Sequence, residues 1–149
     1  FPLVIAHNVT KIKPKDWQIY GIVAALDDDY DEVKTNALGQ FARYEAKELK
    51  VVLKQSEDVV KKAVTLFKDK SVDSEVRSIA AYALGKIGDA AKPHVKDIAN
   101  ILKDKSNDSE VRASAAYALV NMGDIAQPYI KEILDLIKDK SVESHVRSN

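Results

Sequence analysis

Apolar side chains recur at intervals of three and four residues between Ser74 and Ile87. They stand at Val76, Ile79, Ala80, Ala83, Leu84 and Ile87. This spacing places them on one side of a helix, so it predicts an amphipathic α-helix with one buried face. Oxygen-bearing side chains open the stretch and Gly88 closes it, as at the two ends of many helices. The same arrangement returns from Ser109 to Met122 and is followed by Gly123.

A second apolar stripe follows each of these glycines after a short connector. A proline stands near its beginning, Pro93 in one copy and Pro128 in the next. Proline is tolerated in a helix only in the first turn, so a further helix is predicted to start near each proline. Its apolar residues are Val95, Ile98, Ile101 and Leu102, matched by Ile130, Ile133, Leu136 and Ile137. Each copy is therefore predicted to be a helical hairpin.

The predicted hairpins belong to an internal repeat. A motif rich in Lys, Asp and Ser ends each time in an arginine, and these arginines stand at 77, 112 and 147, a spacing of 35 residues. Residues 68–102 and 103–137 are identical at 20 of 35 aligned positions. A period of this length is typical of solenoids, in which stacked units bury one continuous core.

Upstream of residue 58 the repeat is more diverged. Val33 aligns with Val76 at an offset of 43 rather than 35 residues, which leaves about eight additional residues before the next unit. The sequence accordingly divides into six segments. These are a lead-in or the end of a preceding repeat (1–13), a diverged unit (14–44), an insertion or helix extension (45–57), two further units (58–88 and 89–123) and a truncated unit (124–149). We expect the chain to be a fragment of a longer array.

The repeat resembles the HEAT repeats, above all the short HEAT-like repeats of bacterial proteins. The shared features are two helices per unit, an early proline, a turn aspartate and a Val-Arg pair that opens the second helix. The resemblance implies an all-α fold, namely an α-α superhelix or right-handed solenoid of antiparallel helical hairpins. It also implies a structural ladder in which turn aspartates and helix arginines bond from one repeat to the next. The matching pairs are Asp69 with Arg77, Asp104 with Arg112 and Asp139 with Arg147.

The second helix of each HEAT unit is the one that opens with Val-Arg, which here means the helices from Ser74 and from Ser109. The second helices of HEAT arrays line a concave surface. The resemblance therefore implies a partner-binding face on the side of these helices opposite the core. On a helical wheel this side includes Ser78 and Gly85 of one unit. The candidate contact residues are Tyr82, Tyr117, Lys86, Asn121, Glu75 and Glu110. Tyrosine offers a large amphipathic contact area at low entropic cost. Alternatively, Tyr82 and Tyr117 pack over neighbouring helices and complete the core.

Composition narrows the function further. The chain holds 23 basic and 23 acidic residues and has no cysteine. Balanced charge argues against extended binding to nucleic acid or to a membrane surface. The absence of cysteine excludes thiolate catalysis and Cys-ligated metals, and it agrees with a reducing compartment. A cytoplasmic location is therefore expected.

Candidate catalytic and metal-binding residues are few and isolated. His94 and His145 stand where other copies carry a tyrosine and a glutamate, so neither position requires an imidazole ring. The alternating aspartates at 27, 29 and 31 mimic the start of a calcium loop without its glycine and its closing glutamate. We expect no catalytic residue, no metal site and no cofactor.

The sequence thus predicts a noncatalytic protein–protein interaction module or scaffold, which binds another protein or another domain of the same chain. Uncapped repeat ends would also permit a homo-oligomer. The main alternative is a HEAT-like subunit of a phycobilin lyase or a related chromophore-handling protein, because the repeats resemble those of phycobilin lyases. A HEAT-like DNA-binding surface ranks last, since the predicted face mixes acidic with basic side chains.

Overall fold

The computed structural model describes residues 14–44 and 53–139 and shows only helices and their connections there. Seven α-helices lie in these two segments. They are α1 (Asp16–Ala25), α2 (Asp31–Ala42), α3 (Leu53–Lys68), α4 (Ser74–Ile87), α5 (Val95–Lys103), α6 (Ser109–Asn121) and α7 (Ile130–Lys138). The predictions for residues 1–13, for residues 45–52 and for Arg147 lie outside the described residues.

The helices form two layers. Helices α2, α4 and α6 lie side by side in one layer, and α1, α3, α5 and α7 follow one another in the other. Within the hairpins, α1 packs against α2, α3 against α4 and α5 against α6. This stacking of helical hairpins confirms the predicted all-α solenoid.

The hydrophobic core runs through all the described repeats without interruption. Its largest fully buried side chains include Phe41 on α2, Phe67 on α3, Leu84 on α4, Ile98 on α5 and Leu119 on α6. Each hairpin alone is too small to bury its apolar face, so burial depends on the neighbouring repeat.

Local signals define the helix ends as the sequence predicts. At the start of α4, Oδ1 of Asp73 accepts a hydrogen bond from the backbone N–H of Glu75 at 2.9 Å. Gly88 and Gly123, which follow the second helices, have φ angles of 65° and 70°. Only glycine adopts this region readily, so it is suited to reversing the chain there. Short 3-10 helices then hold the two prolines and lead into α5 and α7.

Helices α4 and α6 approach each other closely at Gly85. A Cβ atom added to Gly85 would lie 2.9 Å from the Cα atom of Ala118 and 3.4 Å from a ring carbon of Tyr117. Gly85 is buried, and Ser78 on the same flank of α4 is only 7% exposed. The prediction that these two residues lie on the open face is therefore wrong. The physical reason is that the next second helix packs against this flank.

Candidate protein-interaction face and repeat junctions

The exposed side of the second-helix layer repeats the same three positions on α2, α4 and α6. We call these nine residues the second-helix face. They form an acidic row of Glu32, Glu75 and Glu110, a central row of Gly39, Tyr82 and Tyr117, and a terminal row of Arg43, Lys86 and Asn121. Residues seven and eleven positions after the glutamate of the acidic row lie within about 20° of that glutamate around the helix axis. Each helix therefore presents one column of three residues, and all nine are exposed or half-buried.

Tyr82 and Tyr117 stack on each other across the junction of α4 and α6. Their ring centroids lie 5.2 Å apart and the ring planes differ by 12°. Tyr82 keeps 43% of its surface exposed, whereas Tyr117 is half-buried. Burial raises the pKa of the Tyr117 hydroxyl, and the neighbouring Tyr82 raises that pKa further. The pair therefore packs between repeats while Tyr82 leaves aromatic surface open.

Charges of opposite sign flank the tyrosine stack along the helix axis. Glu75 and Glu110 lie in the first turns of α4 and α6, and Lys86 lies in the last turn of α4. The two ends of this face are about 16 Å apart along the axis of α4. Each sign is the one that the local helix dipole favours. All three side chains are exposed, and none forms an ion pair with another described residue.

The three α2 positions of the face were not among the contact residues predicted from the sequence. Glu32, Gly39 and Arg43 stand 43 residues before their counterparts on α4. The offset that aligns Val33 with Val76 was a sufficient signal to find them. Their position matters because α2 packs directly beside α4 in the second-helix layer.

Two buried arginines join successive repeats. Nε of Arg77 donates to the carbonyl oxygen of Phe67 at 3.0 Å, and Nη2 of Arg77 donates to Oδ1 of Asn107 at 2.7 Å. Arg112 repeats the first bond, with the carbonyl oxygen of Leu102 at 3.0 Å. These carbonyls lie in the last turns of α3 and α5, where a helix leaves its acceptors unpaired. Each guanidinium group therefore caps one helix and extends toward the next repeat.

The turn aspartates bond within their own turns, and Asp104 also accepts a hydrogen bond from Lys70 of the preceding turn at 2.8 Å, but neither bonds directly to the arginine of its repeat. Asp69 and Asp104 each accept a hydrogen bond from the backbone N–H of the serine two residues later, at 2.9 Å. Arg112 pairs instead with Asp139 of the following turn, with 3.6 Å between Nη1 and Oδ2. The expected direct pairs of Asp69 with Arg77 and of Asp104 with Arg112 are thus absent. The bond from Nε to the helix carbonyl leaves the outer nitrogens directed toward the next repeat.

Exposed charges repeat a second set of contacts between repeats. Lys68 lies 3.1 Å from Asp97, and the residues 35 positions later, Lys103 and Glu132, lie 3.3 Å apart. Exposed pairs of this kind contribute little to stability one by one. Because they recur in the same register, they favour the same stacking geometry at both junctions.

The sequence comparisons agree with this arrangement of stacked hairpins. A family model described as HEAT repeats matches residues 19–119. The chain belongs to the HEAT-repeat family. A second family model, described as PBS lyase HEAT-like repeat, matches residues 111–136. No curated protein matches the chain.

The described HEAT units show no cluster of three or more side chains that could hold a metal ion. Among the alternating aspartates of the first turn, Asp27 pairs with Lys62, and Asp31 lies 3.5 Å from Lys34. These acidic side chains therefore contact lysines rather than converging on one point. No helix in the described segments combines the length and the apolar character needed to cross a membrane.

Proposed function

We propose that this HEAT array is a noncatalytic protein-interaction module, or scaffold, in the cytoplasm. In this proposal the second-helix face binds another protein or another domain of the same polypeptide, without a cofactor. The observation that supports it is the partly exposed stack of Tyr82 on Tyr117, which charges of opposite sign flank along the helix axis.

Aromatic stacking of this kind suits a binding surface for two reasons. Tyrosine is enriched among the residues that contribute most to protein interfaces, because its ring buries a large area while its hydroxyl still forms hydrogen bonds. The neighbouring repeat already holds the ring of Tyr82 against Tyr117. Binding therefore loses less side-chain entropy than it would at a free tyrosine.

Affinity capture from a cell lysate, followed by mass spectrometry, tests the proposal. The wild-type chain is compared with the double variant Tyr82→Glu, Tyr117→Glu, and circular dichroism checks the helix content of both. A matched control is Tyr30→Glu, since Tyr30 is 74% exposed and lies outside the second-helix face. We expect a specific partner that the control retains and the double variant loses. Equal capture by all three proteins would place the binding site elsewhere, and no specific partner for any of them would contradict an interaction function.

The match of residues 111–136 to the PBS lyase HEAT-like repeat supports a second candidate, a chromophore-handling protein. This candidate predicts that the purified chain binds a bilin and induces a new visible absorbance band. The interaction proposal predicts that added bilin keeps the spectrum of the free pigment. The titration therefore separates the two functions.

A further inference from the structure

The central row of the second-helix face lacks one ring. Helices α4 and α6 carry Tyr82 and Tyr117, whereas α2 carries Gly39 at the same place. No described side chain or neighbouring helix comes within 4 Å of the place where a Cβ atom of Gly39 would stand. Glycine inside a helix is destabilising relative to alanine. At Gly85 close packing against Ala118 accounts for the glycine, and at Gly39 no such contact does.

One face of the Tyr82 ring remains open toward this space. Helix α4 lies between α2 and α6, and Tyr117 of α6 covers the opposite face of the ring. The uncovered face is therefore directed toward α2, where Gly39 leaves room. A planar ring placed there would continue the stack at the spacing that Tyr82 and Tyr117 already show.

The groove between α2 and α4 has two carboxylates at one end and two cations at the other. Glu32 and Glu75 lie in the first turns of these helices, Arg43 directly follows α2 as its C-cap residue, and Lys86 lies in the last turn of α4. All four side chains are exposed, and none forms an ion pair with another described residue. A partner aligned with the groove is complementary when it presents a base to the glutamates and an acid to the cations.

The spacing along α4 defines the pattern that such a partner must carry. Tyr82 stands seven residues after Glu75 and four residues before Lys86. A helix antiparallel to α4 matches when an acidic residue stands four positions before an aromatic residue and a basic residue stands seven positions after it. These three residues then share one helix face. Their order also places the acid toward the N-terminus and the base toward the C-terminus, as the partner's own dipole favours.

We infer that the groove between α2 and α4 binds an amphipathic helix of a partner protein, antiparallel to α4. Its aromatic side chain occupies the space at Gly39 and stacks on Tyr82, while its base and its acid pair with the charges at the two ends of the groove. No stretch of this chain has the required pattern, so the partner is not a second copy. The inference rests on the proposed function, a protein-binding face, and adds the chemistry of what that face binds.

Two fluorescein-labelled, alanine-based helical peptides test the inference by fluorescence anisotropy. The first carries glutamate four residues before a tryptophan and lysine seven residues after it, and the second has these two charges exchanged. We expect the first peptide to bind the full chain at least about tenfold more tightly than the second. Equal affinities, or no measurable binding of either peptide, would overturn the inference.

Substitutions in the groove provide the matched comparison. Gly39→Tyr fills the space and is expected to weaken binding of the first peptide by about tenfold or more, whereas Gly39→Ala leaves the affinity nearly unchanged. The double variant Glu32→Lys, Glu75→Lys is expected to abolish the preference for the first peptide. Because these two glutamates are exposed, this variant tests the charge pattern even if Gly39→Tyr disturbs folding. Unchanged affinity in a folded Gly39→Tyr variant, or an unchanged preference in the charge variant, would contradict the inference.

The captured partner separates this inference from the proposed function. A partner that is lost by Tyr82→Glu, Tyr117→Glu but retained by folded Gly39→Tyr supports the second-helix face as the binding surface and refutes the helix-in-groove mode. A partner that is lost by both variants supports both. A partner that the tyrosine double variant retains places the binding site elsewhere, which refutes both the second-helix face as the binding surface and the helix-in-groove mode.

Discussion

Arg77 donates through Nη2 to Oδ1 of Asn107 at 2.7 Å, and this bond connects the second helix of one repeat to the turn of the next. Both side chains are buried, with exposures of 4% and 6%. The other copies of the repeat carry Val72 and Val142 where this one carries Asn107. The next arginine, Arg112, accordingly pairs with an aspartate rather than with an asparagine. Equivalent arginines thus join their neighbours through different partners.

The bond between Arg77 and Asn107 predicts energetic coupling between repeats. Arg77→Ala leaves a buried carbonyl and a buried amide without their donor, and we expect a loss of about 3 kcal/mol in the free energy of unfolding. Asn107→Val is expected to cost less, since valine occupies this position in the other copies. Urea denaturation of both single variants and the double variant should give a coupling energy of about 1–3 kcal/mol. Additive effects would show that the two side chains act independently.

Two helical glycines are predicted to respond in opposite ways to alanine. Gly85→Ala brings a methyl group against the backbone of Ala118, so we expect a destabilisation of about 1–3 kcal/mol from overpacking. Gly39→Ala meets open space and should stabilise the chain by about 0.5–1 kcal/mol, because alanine restricts the unfolded state and favours the helix. Urea denaturation of the two variants measures both changes. A stabilising Gly85→Ala would disprove the close approach of α4 and α6.

The turn carboxylate of Asp104 predicts a pH-dependent contribution to stability. The hydrogen bond from Lys70, at 2.8 Å, lowers the pKa of Asp104, and the bonds from Ser106 lower it further. An aspartate whose pKa is lowered in the folded state stabilises the fold above its unfolded pKa of about 3.9 and loses this contribution as the pH falls through the folded pKa. The loss in unfolding free energy caused by Asp104→Asn should therefore be largest near neutral pH and shrink below about pH 4.

Urea denaturation at several pH values checks this dependence. Lys70→Met is the matched second variant, because it removes the strongest stabiliser of the Asp104 carboxylate and should reproduce part of the effect. A difference between wild type and Asp104→Asn that stays constant down to strongly acidic pH would contradict the prediction.

The tyrosine stack predicts a shifted phenol titration. Burial raises the pKa of Tyr117, Tyr82 raises it further, and the Asn121 side chain lowers it. Tyr82→Phe should therefore lower the pKa of Tyr117 part of the way toward its ordinary value, while Asn121→Ala should raise it. Ultraviolet titration at the phenolate absorbance measures both shifts, with circular dichroism confirming that the helices remain. An unchanged pKa of Tyr117 in Tyr82→Phe would show that the two rings do not interact in solution.

Much of the second-helix face could be predicted from the sequence, and the junctions between repeats could not. Exposure of Glu75 and Lys86 follows from their helical phase relative to the apolar stripe. The partners of Arg77 and Arg112 do not, because they depend on which atoms of the next repeat meet the guanidinium group. The burial of Gly85 could not be predicted either. The helical phase shows which side of α4 faces the core, but it does not show which flank the adjacent second helix covers.

The sequence by itself determined the helices, their pairing into hairpins and the stacking of those hairpins into a solenoid. Apolar periodicity and the glycines that end helices can be recognised within short stretches of the chain. The 35-residue spacing can be recognised when one copy is compared with the next. Only the tertiary structure decided that Tyr82 stacks on Tyr117 and that Arg77 bonds to Asn107. These contacts join side chains from different repeats, so they depend on the distance and register between helices, which the pattern along one helix does not contain.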